Sequence, residues 1–277
     1  MIYRGYTLEE LERAYRPSLM TGGDYLPYAA AYVAMSAQAR AAEGVKQDIA
    51  YGPVATQIFD LFPAQTSSDD GPAPLHVYVH GGYWQALSQK EAAMVAPDVT
   101  QTGTAFVALN YTLAPDAHIR DMVDEVFMCL TWIADHAGEL GIDPNRITLS
   151  GHSAGGHLVA MTLTKYGAEL QARGVTITDA ILISGVFDLE PIRHTTVNAP
   201  LNLTPEDCAE LSPRKSPPVA GPKYHVVVAE RDTDEFINQS RDYAEFLRVS
   251  DRDVRFEFVP GMHHFDVILK PNLFLPG

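Results

Sequence analysis

Hydrophobic residues recur along this chain in two alternating patterns. Short, nearly continuous apolar runs at 75–79 and 104–109 have the length and composition of buried strands. Between the runs, stretches such as 116–136 place apolar residues three or four positions apart, on one face of a helix. Further apolar runs predict strands over 146–149, 180–183, 224–229 and 254–259. Such strands alternating with helices predict an α/β fold, with a mostly parallel sheet covered by helices on both faces.

The chain before residue 75 has a different pattern. Residues 1–48, called the N-terminal segment below, contain a Thr7-capped helix pattern and an Ala-rich helix pattern that ends at Gly44. Residues 49–62 are predicted to be extended, and 65–74 to form an exposed turn rich in Ser, Asp, Gly and Pro. Across the chain, helices are predicted over 7–15, 25–43, 88–100, 116–136, 155–173 and 205–211.

The insertion, residues 191–222, interrupts the regular alternation and holds many of the prolines. Irregular stretches of this length often form a lid or a binding loop, although an ordinary surface excursion is an equal alternative. Since α/β folds of this size commonly form one domain, we expect residues 1–277 to be a single domain.

Composition limits the classes of partner. The chain has 20 Lys and Arg against 35 Asp and Glu, for a formal net charge of -15. Nucleic-acid binding needs clustered basic residues, so we expect no nucleic-acid partner. We also expect no membrane partner, because no run approaches the roughly 20 apolar residues of a membrane span.

The N-terminus does not resemble a signal peptide, and Cys129 and Cys208 match no disulfide or metal spacing. We therefore expect a cytoplasmic monomer or homodimer.

A short motif follows one predicted strand. The sequence G-H-S-A-G at 151–155 fits the pattern G-x-S-x-G, directly after strand 146–149 and directly before an apolar helix pattern. A strand, a sharp turn and a helix are the setting in which this motif exposes a nucleophilic serine. Side chains at Gly151 and Gly155 would collide with the flanking strand and helix, so both positions need glycine. Ser153 is the predicted nucleophile.

A second glycine motif, His80-Gly81-Gly82, follows strand 75–79. In lipases and esterases an HGG turn at this place donates backbone N–H groups to the oxyanion of acyl transfer. We expect Gly81, Gly82 and Ala154, the residue after the serine, to form the oxyanion hole. His80 is expected to orient the turn. Tyr83 and Trp84 are both candidates to line the substrate pocket, and at least one of them is expected to do so, with a place in the core as the alternative.

An acid and a base should follow the late strands, in the order nucleophile, acid, histidine. Four carboxylates follow strand 224–229, in Glu230-Arg231-Asp232-Thr233-Asp234-Glu235. Asp232 is preferred because it lies where the strand has just ended. Asp234 is the alternative, with helix capping as its other role.

The base is expected in Met262-His263-His264-Phe265, after the last strand. We choose His264 as the residue that accepts and returns the serine proton, with His263 as the alternative. His263, His264 and Asp266 lack the spacing of a known metal site, so we expect no metal and no other cofactor.

Three stretches together resemble kynurenine formamidase (arylformamidase) and its esterase relatives: HGGYW, GHSAGGHL and ERDTDEFINQSRDYAEFL. The resemblance covers nearly the whole chain, including the region of Tyr51-Gly52. The HGG and GxSxGG motifs alone would indicate only the broader hormone-sensitive-lipase-like esterases. Carried over by position, the family's nucleophile, acid and base fall on Ser153, Asp232 and His264. One departure is His263, which stands where relatives often have Asn.

The resemblance implies an α/β-hydrolase that cleaves N-formyl-kynurenine, or a related N-formyl aryl amine, without a cofactor, as in tryptophan catabolism. Its substrate would be a small molecule, cleaved through an acyl-enzyme on Ser153. A short-chain carboxylesterase is the alternative within enzymes. A non-catalytic small-molecule receptor is the alternative outside them, although such a receptor is expected to lose a triad member.

Overall fold

An eight-stranded sheet organises the part of the chain described by the computed structural model, residues 2–65 and 71–275. Half of the turn predicted at 65–74, residues 66–70, lies outside the described residues. The strands are β1 (Lys46–Ala50), β2 (Ile58–Phe62), β3 (Ala73–Val79), β4 (Ala105–Leu109), β5 (Ile142–His152), β6 (Ile177–Ile183), β7 (Lys223–Ala229) and β8 (Val254–Val259).

The spatial order of the strands is β1-β2-β4-β3-β5-β6-β7-β8. From β4 to β8 all neighbours are parallel, whereas β2 pairs antiparallel with both β1 and β4. The predicted α/β fold with a mostly parallel sheet is therefore confirmed. The predicted extended stretch 49–62 is divided between β1 and β2, which pair antiparallel because the short connection between them contains no crossover helix.

Helices connect the parallel strands. The described residues contain α1 (Leu8–Ala14), α2 (Leu26–Arg40), α3 (Ala96–Thr100), α4 (Ile119–Asp135), α5 (Ala137–Leu140), α6 (Ala154–Ala172), α7 (Glu190–Arg193), α8 (Asn198–Leu201), α9 (Pro205–Glu210) and α10 (Asp234–Val249). The continuous helix predicted over 88–100 was wrong: a 3-10 turn (Gln89–Glu91) is separated from α3, whose first turn contains Pro97. Proline has no N–H to continue a helix from an earlier turn, so α3 begins just before it.

The sheet separates two hydrophobic clusters. Leu75, Val77 and Val79 of β3 face a cluster that includes the buried residues of α4, α6 and α10. Tyr78, between them in sequence, faces the other cluster, with α2 and α3. This alternation follows from the period of two in strand side chains. Because the strands are parallel, the loops after β3, β5, β7 and β8 meet at one edge of the sheet.

The N-terminal segment and the insertion both pack on this framework. Helix α1 contacts α10, and α2 contacts the 3-10 turn at 89–91. The insertion contains the short helices α8 and α9, whose apolar side chains join the first cluster. Cys129 and Cys208 are buried free thiols. Among the described helices, none combines the length and hydropathy that a membrane span requires.

Candidate active site

Ser153 occupies the turn between β5 and α6. Its backbone has φ 55° and ψ -118°, a region that L-residues rarely adopt. The Ser153 N–H donates to the carbonyl oxygen of Ile183 at 2.9 Å, which fixes the turn against β6. A Cβ on Gly155 would collide with the carbonyl oxygen of Val79, and one on Gly151 with that of Gly155. The glycines of G-x-S-x-G are therefore required by close backbone contacts, as the sequence predicted.

The turn after β3 passes directly over Ser153. A Cβ on Gly81 would lie 2.9 Å from the carbonyl oxygen of His152 and 3.2 Å from Ser153 Cβ. Gly82 has φ +101° and leaves no space for a side chain against the backbone of Ala86. Glycine at both positions allows the main chain to approach the serine closely.

The side chain of His80 stabilises this turn. Its Nδ1 donates to the carbonyl of Gly81 at 2.9 Å, and its ring stacks on Tyr111 with centroids 4.4 Å apart. The Tyr111 hydroxyl in turn donates to the carbonyl of His80 at 3.0 Å. Burial lowers the pKa of His80. These contacts match the orienting role expected for His80.

Three backbone N–H groups near Ser153 have no acceptor in the part of the chain that the structure describes. Among the described residues, no carbonyl accepts a hydrogen bond from the N–H of Gly81, Gly82 or Ala154. Ala154 is the first residue of α6, where the N–H groups of the first turn have no intrahelical acceptor. The N-terminus of a 19-residue helix also favours negative charge at this point. The three residues named for the oxyanion hole therefore offer donors beside the serine.

Asp232 and His264 form a buried pair beside this turn. Asp232 Oδ2 lies 2.8 Å from His264 Nδ1, and their side chains are 0% and 3% exposed. The second oxygen of Asp232 accepts from the N–H of Thr233 at 2.9 Å. Asp234 is exposed and is the first residue of α10. Its suggested capping role was wrong, because Thr233 occupies the N-cap position.

The ring of His263 makes different contacts. Its Nε2 lies 3.2 Å from Asp266 Oδ2, and its Nδ1 accepts from the N–H of Phe265 at 3.1 Å. Tyr28 packs against its edge, with centroids 4.6 Å apart. Burial lowers the pKa of His263. Of the two histidines, it is thus His264 that pairs with Asp232. In the described part of the chain, no group of three His, Cys, Asp or Glu side chains could hold a metal ion.

Aromatic rings pack around His264. Phe236 lies 4.4 Å away on one side, between ring centroids, and His152 lies 4.6 Å away on another. Burial, reinforced by the neighbouring His264, holds the pKa of His152 well below its usual value, and its Nε2 has no hydrogen-bond partner among the described residues. Sequence reasoning missed His152, although its place next to Ser153 in the motif was a usable signal.

A cavity of about 540 Å³ opens above these residues. Ser153, His152 and His264 line it together with Gly81 and Gly82. No hydrogen bond joins the side chains of Ser153 and His264 among the described contacts, but both reach the same cavity. Aromatic side chains form much of the remaining wall: Tyr25, Tyr32, Tyr78, Tyr83 and Phe265.

Of the two aromatic candidates for the pocket, Tyr83 and Trp84, the second was wrong. Tyr83 lines the cavity, and its hydroxyl donates to the carbonyl of Tyr15 at 2.5 Å. Trp84 is 0% exposed and packs edge-on against His157 in the core, with centroids 5.1 Å apart. Both residues have positive φ, 52° and 60°. The tight turn thus sends consecutive side chains to different sides, one into the cavity and one into the core.

The N-terminal segment closes one side of the cavity. Glu12, Arg13, Arg16, Pro17 and Ser18 line it, whereas the insertion contributes Thr196 and Val197. Sequence reasoning placed the N-terminal helices before the sheet but did not connect them with the site. The feature of the sequence that could have connected these helices with the site is their series of tyrosines, at positions 15, 25, 28 and 32.

Comparisons with known proteins indicate the family of the chain. A family model described as alpha/beta hydrolase fold matches residues 76–267. The kynurenine formamidase of Danio rerio is 32% identical and covers 96% of this chain and 92% of its own length. Esterase LipC of Mycobacterium tuberculosis is 27% identical over 80% of this chain and 60% of its own length.

Among solved structures, a thioesterase candidate from Silicibacter sp. TM1040 superposes with a TM-score of 0.82. It is 28% identical, and the match covers 95% of each chain. The relatives are hydrolytic enzymes of one fold, and the match to the formamidase extends over nearly the full length of both chains. The chain is therefore a hydrolase that belongs to the kynurenine formamidase-like family of α/β-hydrolase esterases.

Proposed function

We propose that the chain is an arylformamidase that acts through a Ser153–His264–Asp232 triad. The observation that carries the mechanism is the buried Asp232–His264 pair, 2.8 Å apart, at the cavity that also exposes the strained Ser153. A carboxylate on Nδ1 leaves Nε2 of the imidazole free to accept the serine proton. The missing Ser153–His264 hydrogen bond is compatible with this role, since such contacts often tighten only when substrate binds.

The reaction proceeds in two acyl transfers. Ser153 Oγ attacks the formyl carbon while its proton passes to His264, and the resulting oxyanion accepts from the N–H groups of Gly81, Gly82 and Ala154. Each such donor typically stabilises the transition state by about 3 kcal/mol. His264 then returns the proton to the leaving nitrogen as the C–N bond breaks. Water, deprotonated by His264, attacks the formyl-serine ester and releases formate.

The substrate class rests on likeness and on the shape of the site. The Danio rerio relative is named kynurenine formamidase and matches 96% of this chain. N-formyl-kynurenine, or a related N-formyl aryl amine, places an aromatic ring next to the scissile bond. The aromatic wall formed by Tyr25, Tyr32, Tyr83 and Phe265 suits such a ring.

The mechanism is tested by Ser153→Ala, with the exposed Ser216→Ala as the matched control. We expect Ser153→Ala to lose hydrolysis of both N-formyl-kynurenine and p-nitrophenyl acetate, and Ser216→Ala to retain both. A fluorophosphonate probe should label Ser153 in the wild-type chain and leave Ser153→Ala unlabelled. Unchanged hydrolysis in Ser153→Ala would exclude the proposed nucleophile.

A short-chain carboxylesterase is the second candidate, favoured by the likeness to esterase LipC. The kcat/KM values for N-formyl-kynurenine and for short acyl esters distinguish the two. Faster turnover of the formamide supports the arylformamidase, and ester hydrolysis without formamide hydrolysis supports the carboxylesterase. A chain that reacts with neither substrate nor probe would be a receptor built on this fold.

A further inference from the structure

Apart from histidines, four of the residues around the cavity are acidic or basic: Glu12, Arg13, Arg16 and Glu91. The two carboxylates are already engaged. Glu12 accepts from the backbone N–H of Thr196 and, at 3.0 Å, from its hydroxyl. Glu91 accepts from the N–H and the hydroxyl of Ser88, at 2.9 and 2.8 Å. Both carboxylates therefore already accept hydrogen bonds from protein donors.

The two arginines differ from the acids in this respect. Among the described residues, no carboxylate lies within 4.0 Å of the guanidinium of Arg13 or Arg16, although acidic residues outnumber basic ones by 35 to 20. Of the other arginines, Arg40 and Arg214 have carboxylate partners at 2.6 and 3.1 Å, whereas Arg231 and Arg241, which do not line the cavity, have none among the described residues. The cavity wall thus carries two arginines that form no ion pair within 4.0 Å with any described residue.

The backbone that carries the two arginines is anchored to the rest of the site. Tyr15 lies between them in sequence and is 2% exposed. Its carbonyl accepts from the Tyr83 hydroxyl at 2.5 Å, and its own hydroxyl accepts from Gln239 Nε2 at 2.6 Å. Arg13 lies in the last turn of α1, and Arg16 directly precedes the 3-10 helix Pro17–Thr21. The two arginine side chains are themselves exposed, and it is the backbone carrying them that is anchored to the wall.

We propose that Arg13 and Arg16 bind a carboxylate of the substrate, away from the scissile bond. Guanidinium groups form charge-assisted hydrogen bonds with carboxylates and pair with them in a planar geometry. This inference rests on the proposed function, and it narrows the substrate class. Since a formyl group carries no side chain, the carboxylate of a formamide substrate has to belong to the leaving amine. The preferred substrates are then N-formyl aryl amines that bear a carboxylate.

The test compares substrates that differ only in this charge. One pair is N-formyl-kynurenine and its α-carboxamide; the other is 4-acetoxyphenylacetate and 4-acetoxyphenylacetamide. We expect the wild-type chain to prefer each carboxylate by about tenfold in kcat/KM, mainly through KM. The double variant Arg13→Gln/Arg16→Gln should lose this preference and retain the rate on the neutral partner, which also shows that it folds. The preference should shrink as salt is added.

The matched control is Arg173→Gln, which removes one positive charge from the exposed end of α6, where Arg173 pairs with Glu169. It should keep the wild-type preference. The inference is overturned if the wild-type chain cleaves both members of each pair equally, if the double variant slows both members equally, or if Arg173→Gln abolishes the preference as well.

The two proposals can fail separately. Hydrolysis of the esters but not of the formamides would refute the arylformamidase proposal. In that case the ester pair would still show whether the arginines select a carboxylate. Formamide hydrolysis without charge preference would end only the inference about Arg13 and Arg16.

Discussion

Asp232 Oδ2 lies 2.8 Å from His264 Nδ1, and the side chain of Asp232 is fully buried. Replacement by asparagine keeps the size of the side chain but removes its negative charge. The amide no longer stabilises a protonated imidazole and can hold the ring in the wrong tautomer. We expect Asp232→Asn to lower kcat on the order of 10⁴-fold.

The control for this variant is Asp234→Asn, two residues away and exposed. Its kcat should remain close to that of the wild-type chain. Steady-state kinetics with p-nitrophenyl acetate measure both variants. An Asp232→Asn enzyme with more than a tenth of the wild-type kcat would contradict the assigned role.

Gly155 is predicted to tolerate no side chain. Its Cβ would collide with the carbonyl oxygen of Val79, a backbone atom of a central strand that cannot move aside. We expect Gly155→Ala to lower the free energy of unfolding by about 3 kcal/mol or more. Gly138→Ala is the matched control, because no atom lies within 4 Å of its added Cβ and the residue is helical. Denaturant titration should show a neutral or slightly stabilised Gly138→Ala. Equal stability of the two variants would disprove the steric explanation.

The hydroxyl of Tyr83 is predicted to hold the N-terminal segment through the carbonyl of Tyr15. Tyr83→Phe keeps the ring and removes this hydrogen bond, at a cost of about 1 kcal/mol in unfolding free energy. Tyr224→Phe removes an equivalent bond to the carbonyl of Val219 at the far end of β7. Limited proteolysis should cut residues 16–24 faster in Tyr83→Phe but not in Tyr224→Phe. The same cleavage rate in both variants would show that this contact does not restrain the segment.

Buried histidines are predicted to make stability depend on pH. Burial lowers the pKa of both His76 and His157 to about 4 from the usual 6.5. Between these values the unfolded chain binds more protons than the folded one, so stability is complete above pH 6.5 and declines as the pH falls towards 4. Each histidine should remove about 2 kcal/mol of unfolding free energy between pH 7 and pH 5.

This dependence can be tested with His157→Gln. Glutamine can still donate to the carbonyl of Leu211, which His157 Nε2 contacts at 2.7 Å, but it does not titrate. Urea titrations at pH 7 and pH 5 should show a smaller loss of stability in the variant than in the wild-type chain. The control is His118→Gln, which removes an exposed histidine. An unaltered pH dependence in His157→Gln would mean that His157 is not the source of the effect.

Local sequence determined the parts of the molecule whose constraints lie within a few residues. The apolar runs predicted the parallel strands, because buried strands need continuous hydrophobicity. Gly151, Ser153 and Gly155 predicted the turn between β5 and α6, because its backbone strain and close contacts permit few other residues. The HGG motif likewise predicted a turn that approaches the serine.

Tertiary structure decided the relationships between residues far apart in the chain. His263 and His264 are equivalent in local sequence, and only the packing of the loops after β7 and β8 directs His264 towards Asp232. Trp84 enters the core while Tyr83 lines the cavity, because consecutive positive φ values turn the chain between them. The N-terminal segment forms part of the site through bonds such as that from Tyr83 to Tyr15, 68 residues apart. Such contacts depend on how the elements pack together, and no local pattern of residues encodes them.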